Sequence, residues 1–185
     1  MKLKLKNVRL AFPVLYEARA FGDSTEKSFQ AAFIFPPDHP CRIEVEAACL
    51  EAAKEKWGAK ADTVYKALTV ADKLAIHNGD TKAEYEGYEG NFFVNARNKT
   101  KPAVRDIDGV TTLTAEDGKP YAGCYVVAHI EIYAQDNAFG KRINASLRGV
   151  QFYADGDAFS GSPPASDEEF DNLEATGGSN DDLVS

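Results

Sequence analysis

The sequence predicts a mainly β protein: a small antiparallel barrel with inserted α-helices, followed by a disordered acidic C-terminal tail. Three observations predict it. Residues 123–135 and 141–153 alternate apolar and polar side chains over two long runs, the pattern of half-buried antiparallel strands. Residues 42–57 are rich in Ala, Glu and Lys and form the best helix, set among strand-like segments rather than alternating with them. From Ala154 to Ser185 there is no Lys or Arg, while nine of the chain's 29 acids lie there. The first 153 residues therefore hold 21 bases against 20 acids, and the net charge of −8 belongs to the tail. The expected division is a folded domain over 1–153 and a flexible acidic tail over 154–185.

The start, Met1-Lys2-Leu3-Lys4-Leu5-Lys6, alternates leucine with charge, unlike the continuous apolar stretch of a signal peptide. Leu3 and Leu5 share one parity and Val8, Leu10 and Phe12 the other, so the first strand should carry a bulge near Lys6-Asn7. Residues 29–35 read as a short aromatic strand stopped by Pro36-Pro37. The helix over 42–57 ends at Gly58, with Ile43, Ala47, Leu50 and Trp57 on one face, and a second short helix covers 61–68. Strands resume over 90–98, and a hairpin is expected at Asp108-Gly109. In the last two strands Val126, Ala128, Ile130 and Ile132, and then Ile143, Ala145 and Leu147, form the core stripes. In the tail, Phe170, Leu173, Leu183 and Val184 are isolated among acids, too few to offset chain entropy by burial. Asp167, Glu168, Glu169, Phe170, Asp171, Asp181, Asp182 and Leu183 are its candidate partner-docking residues.

Catalytic and metal chemistry find little support. There is no Walker-type phosphate loop, no GxGxxG after a strand and no GxSxG elbow. His39, His77 and His129 lack ligand spacing, and Cys41, Cys49 and Cys124 read as reduced packing residues without a CxxC pair. Asp106, Asp108 and Asp117 would be the acids of a metal-dependent nuclease, but Asp108-Gly109 and Asp117-Gly118 are turn dipeptides. No apolar run approaches the roughly 18 residues of a membrane span. A cytoplasmic protein without membrane association is expected.

Bases and rings do cluster. Lys6 and Arg9 precede Phe12, while Phe93, Asn95 and Arg97 share the strand face opposite Val94 and Ala96. The stretch from Asn95 to Arg105 holds Arg97, Lys99, Lys101 and Arg105 and no acid. Tyr125 and Tyr133 lie opposite the Val126–Ile132 stripe; Phe139, Lys141, Arg142 and Arg148 follow on the partner strand, with Arg142, Asn144 and Arg148 opposite its core stripe. Strands that present rings and cations outward suit a nucleic acid strand with exposed bases, because bases stack on rings while cations follow the phosphates. RNA fits the same chemistry. The main helix carries Glu44, Glu46, Glu51 and Glu55 and would repel a duplex groove. The rival readings are a self-assembling virion or scaffold β protein and the nuclease named above.

The motifs Leu5-Lys6-Asn7-Val8-Arg9-Leu10-Ala11-Phe12-Pro13, Phe33-Ile34-Phe35-Pro36, Gly90-Asn91-Phe92-Phe93-Val94-Asn95-Ala96 and Ile143-Asn144-Ala145-Ser146-Leu147-Arg148-Gly149-Val150-Gln151-Phe152 resemble a phage-encoded single-stranded DNA-binding family over nearly the whole chain. The resemblance implies an oligonucleotide-binding (OB) fold, sequence-tolerant protection of single strands in phage replication or recombination, no enzymatic activity and no cofactor. It also implies an acidic tail that recruits replication or recombination proteins. Such tails often end in an aromatic residue, whereas this chain ends Asp181-Asp182-Leu183-Val184-Ser185. Homo-oligomerisation is left open by the residues.

Overall fold

The computed structural model describes residues 1–159. Seven strands form one sheet: β1 (Lys2–Ala20), β2 (Lys27–Phe35), β3 (Ile76–Asn78), β4 (Phe92–Asn98), β5 (Ala103–Arg105), β6 (Tyr125–Asn137) and β7 (Gly140–Ala154). β1 pairs antiparallel with β2 and β6, β2 with β4, and β6 with β7. A parallel contact of β4 with β7, at Ala96↔Ala145 and Arg97↔Ser146, closes these five strands into a ring. This is the expected OB-type barrel. β3 and β5 attach outside the ring to β4 and β7.

The hydrophobic pattern dictates the register. Val126, Ala128, Ile130 and Ile132 are buried on β6, and Ile143, Ala145 and Leu147 on β7, as their alternation requires. Phe33, Phe35, Leu5 and Leu10 complete the interior. Each large apolar side chain so buried is worth about 1.5–3 kcal/mol. The expected bulge is present: the β1–β6 register shifts between Leu5 and Val8, where Asn7 has φ 56°. β1 shifts again against β2 between Ala11 and Val14, where Phe12 has φ 46° and Pro13 cannot donate to the ladder. These two shifts, with a third between Val14 and Arg19, let one strand of 19 residues bend around the barrel.

Between β2 and β3 the chain inserts α1 (Pro40–Trp57) and α2 (Ala61–Val70). The sequence reading placed the buried face of α1 incorrectly. Ile43 is 73% exposed and Ala47 is exposed, while Cys41, Val45, Ala48, Cys49, Ala52 and Ala53 face the barrel. That stripe follows the helical repeat with small side chains, so α1 can approach the barrel closely; large residues were the misleading guide. Leu50 and Trp57 are half-buried, and Trp57 Nε1 donates to Asp136 Oδ2 at 2.9 Å. The three cysteines are buried and unpaired, and burial pushes each thiol up to about 11. Among the described residues no helix is long and apolar enough to cross a membrane.

The chain does not leave the barrel at Ala154. Tyr121 Oη donates to Asp155 Oδ1 at 2.7 Å, and the amides of Gly156 and Phe159 donate to Tyr121 Oη and the Ala122 carbonyl. Phe159 packs against Ala11, Ala32, Ile34, Tyr88 and Phe93. A Cβ at Gly123 would strike the Asp157 carbonyl, so the close approach of this strap requires glycine. The remaining tail positions, including Asp167, Glu168, Glu169, Phe170, Asp171, Asp181, Asp182 and Leu183, lie outside the described residues.

Candidate nucleic-acid interface

Only two residue pairs join β4 to β7, and the barrel wall opens beside that seam into a cleft of about 700 Å³. Strand alternation supplies its polar wall. Asn95 and Arg97 project from β4, Tyr133 and Gln135 from β6, Arg142 and Asn144 from β7, and Gln30 from β2. Cross-strand pairing sets them side by side: Gln30 faces Arg97, Tyr133 faces Asn144, and Gln135 faces Arg142. None of the residues lining the cleft is acidic. Arg97 is aimed by two neighbours. Its Nη2 donates to Gln30 Oε1 at 3.3 Å, and its guanidinium lies 5.2 Å from the centroid of the Phe21 ring. Asn144 Nδ2 donates to Gln135 Oε1 at 2.8 Å.

The opposite lip comes from Phe12, His77, Lys82, Tyr85 and Tyr88. Residues 79–91 hold this lip through a set of short polar contacts. The Gly79 amide donates to the Asn91 carbonyl at 2.7 Å, the Gly90 amide to Asp80 Oδ1 at 2.8 Å, and Asn91 Nδ2 to the Gly87 carbonyl at 2.7 Å. Buried Tyr88 anchors the segment, while Tyr85 remains 43% exposed beside Phe12, which is 50% exposed. His77 stacks on Phe93 at 5.1 Å, and its Nδ1 is held 2.7 Å from Asp72 Oδ1. A second cleft of about 570 Å³ adjoins the first and shares Arg97 and Tyr133 with it. Ser146 and Lys99 line it, with Lys99 Nζ 2.9 Å from Glu26 Oε2. Together the two make one groove across the outer face of the sheet, on which flat bases could stack against rings and phosphates could meet guanidinium groups.

Of the sequence-predicted binding residues, the structure brings Asn95, Arg97, Tyr133 and Arg142 together in the main cleft and places Lys99 in its extension. The others fall elsewhere. Phe93 has the expected parity but is 2% exposed, covered by Tyr88 and His77, and so offers no open stacking face. Arg9 and Tyr125 belong to the strap. Arg9 donates to the Gly123 and Asp157 carbonyls at 2.9 and 2.7 Å, and its guanidinium lies 4.3 Å from the Phe159 ring centroid and 5.8 Å from that of Tyr125. Lys6, on β1, faces the start of α1, where its carbonyl accepts from Cys41 Sγ. Lys101 is exposed and lines neither cleft; Arg105 is held by Thr112 on the β5 side. Phe139 is 90% exposed at the tip of the β6–β7 turn, with Lys141 Nζ 3.7 Å from Asp136 Oδ2 behind it. Arg148 sits with Lys4 near His129, whose pKa is lowered by burial first and by those two cations second.

We expect Arg9→Ala to lower stability by roughly 1–3 kcal/mol, through loss of a cation–π contact and two hydrogen bonds. The salt dependence of any oligonucleotide binding should stay as in the parent protein. Denaturant melts and oligonucleotide titrations measure the two quantities; an altered slope at unchanged stability would return Arg9 to the binding surface.

The sequence reading missed Lys82, Tyr85, His77 and Gln135. Tyr85 and Tyr88 stand among Glu84, Glu86 and Glu89 in a stretch without strand or helix period, so no sequence pattern signals their role. The nuclease acids do not assemble. Asp108 Oδ1 accepts from the Val110 and Thr111 amides at 2.9 Å each, and its pKa is lowered first by the hydrogen bond from the Thr111 hydroxyl and then by these two amides. Asp106 pairs with Lys119 at 3.3 Å. Among the described residues no three His, Cys, Asp or Glu side chains group as metal ligands.

A family model described as "Enterobacter phage Enc34, ssDNA-binding protein" matches residues 1–184. "Putative protein p50" of Acyrthosiphon pisum secondary endosymbiont phage 1 is 45% identical over 176 residues, which are 94% of either chain. Among solved structures, the single-stranded DNA-binding protein from bacteriophage Enc34 in complex with ssDNA is similar at a TM-score of 0.71 and 24% identity, covering 85% of this chain and 88% of that one. The gp2.5 single-stranded DNA-binding protein of bacteriophage T7 gives 0.53 at 14% identity, covering 93% and 98%.

Proposed function

We infer the mode of action from one premise: the chain belongs to the family of the Enterobacter phage Enc34 single-stranded DNA-binding protein. It binds single-stranded DNA and is not an enzyme. The strand crosses the barrel over the β4–β7 seam. Bases stack on Tyr133, Phe12 and Tyr85, while Arg97, Arg142 and Lys82 contact phosphates. The observation that carries this reading is the cleft lining itself, which joins three cationic side chains to exposed rings without one acid. Its amides, on Gln30, Asn95, Gln135 and Asn144, offer both donors and acceptors to base edges and so tolerate any sequence. Lys99 extends the path into the adjoining cleft.

The setting is the host cytoplasm, where the protein covers single strands during phage replication or recombination. The acidic tail serves two ends in this reading. Tethered beside Tyr88 through Phe159, its carboxylates compete with phosphates for the cleft at high effective concentration. Once DNA displaces it, Asp167 to Asp171 and Asp181 to Leu183 become available to partner proteins. Removing residues 160–185 while keeping the strap should tighten binding of labelled oligonucleotide at low salt, and unchanged affinity would end the competition model. The function itself is tested by gel shifts with single-stranded DNA, duplex DNA and RNA. A clear preference for single strands over duplex is expected; equal retention of duplex would overturn the proposed path.

A further inference from the structure

Three non-glycine residues among those described have positive φ: Asn7 at 56°, Phe12 at 46° and Asp72 at 56°. Asn and Asp tolerate the left-handed region through their short polar side chains, and Asp72 follows the last turn of α2, where that conformation ends helices. Phe12 has no such excuse. A bulky residue pays for the left-handed conformation with a clash of its Cβ, and Pro13 restricts it further. Burial does not compensate, because the ring is 50% exposed. Instead the bulge holds Phe12 out over the cleft, edge-to-face with Tyr85 at 5.1 Å and 83°, and 6.2 Å from buried Tyr88. Lys82 Nζ lies 6.0 Å from the Tyr85 ring centroid on the same lip. A strained backbone that keeps an apolar ring in solvent is retained where the ring has work to do on a ligand.

We propose that Phe12 and Tyr85 form a base clamp: one nucleobase of the bound strand leaves its neighbours and stacks against this pair at the mouth of the cleft. The inference rests on single-stranded DNA binding. It adds that the energy stored at Phe12 is spent on holding a stacking face that the ordinary strand conformation would turn away. The Lys82 ammonium is placed to meet the phosphate next to the clamped base.

The sign of two measurements on one variant tests this. Phe12→Gly removes the ring and the strain together. Its Tm should equal or exceed that of the parent, while its affinity for an oligothymidylate should fall roughly tenfold or more, the range for one lost stacking contact. Tyr85→Ala should weaken binding similarly, and Phe12→Tyr, which restores a ring, should recover it. A set of oligothymidylates with a single 2-aminopurine moved along the strand gives the stacking signature. One position should show strong fluorescence quenching with the parent protein and with Phe12→Tyr, and lose it with Phe12→Gly. Affinity within twofold of the parent for Phe12→Gly, or a quenching profile it leaves unaltered, overturns the clamp while leaving DNA binding intact. A lower Tm for Phe12→Gly overturns the claim that the backbone is strained for binding. Absence of any oligothymidylate binding by the parent protein removes the clamp and the proposed function together.

Discussion

Replacing Arg97 and Arg142 together by alanine is expected to weaken single-stranded DNA binding about a hundredfold at low salt, at roughly 1.5 kcal/mol or more for each charge-assisted phosphate contact. The two guanidinium groups lie on β4 and β7, the strands that meet at the seam, and both line the acid-free cleft. Each neutralised phosphate contributes about 0.7 to the slope of log affinity against log salt for a single strand, so the slope should fall by about 1.4. Stability should change little, because Arg142 is exposed and Arg97 makes only a long bond to Gln30 and a distant ring contact. The comparison variant is Lys101→Ala, whose charge belongs to the same basic loop but lines neither cleft. It should leave affinity and slope nearly unchanged. Titrations across a salt series decide the matter: a double variant with the parent's slope would remove the seam from the binding path, and a Lys101 variant as weak as the double one would move the path along the loop.

Gly79→Ala is expected to cost roughly 1–3 kcal/mol of stability, the range for an overpacked site, and to depress DNA affinity without dissolving the barrel. A methyl at this position would run into the carbonyl oxygens of Tyr88 and Asn91, which are backbone atoms and cannot rotate aside. The Gly79–Asn91 hydrogen bond that closes residues 79–91 would be lost with it. Those residues carry Lys82, Tyr85 and Tyr88, three of the five side chains of that lip. The barrel strands are joined by their own ladders, so the β-type circular dichroism spectrum should persist while oligonucleotide affinity drops. A variant that binds like the parent would show that this lip is not part of the interface. One that loses its β spectrum would show that residues 79–91 support the barrel rather than only its rim.

Both expectations concern residues whose roles were unequally legible beforehand. Alternation along β6 and β7 fixed which side chains face the core, because a strand period of two leaves no other register for Val126 to Ile132 or Ile143 to Leu147. The same period correctly set Asn95, Arg97, Tyr133 and Arg142 outward. The bulge at Asn7 was likewise visible as a change of parity in β1. Outward-facing, however, is not the same as open. Phe93 has outward parity and is nonetheless covered by His77, from the three-residue strand β3, and by Tyr88, from a segment with no regular period to read.

By itself, then, the amino-acid order determined the five barrel strands, the core stripes of β6 and β7, the inserted helices and the segregation of charge into a near-neutral domain and an acidic tail. These are local quantities, set by side-chain period and composition within short windows. Tertiary structure alone decided which cations share a surface. Lys101 and Arg105 continue the basic run after Arg97, yet the pairing of β5 against β7 carries them away, while Arg142, 45 residues further on from Arg97, comes to line the same cleft because β4 and β7 close the barrel. It also decided that Arg9 serves the strap, that Phe12 stands out of the strand on a left-handed backbone, and that Tyr85 meets it. Those outcomes depend on contacts between distant segments, whose geometry follows from closing the barrel and not from any stretch of sequence read alone.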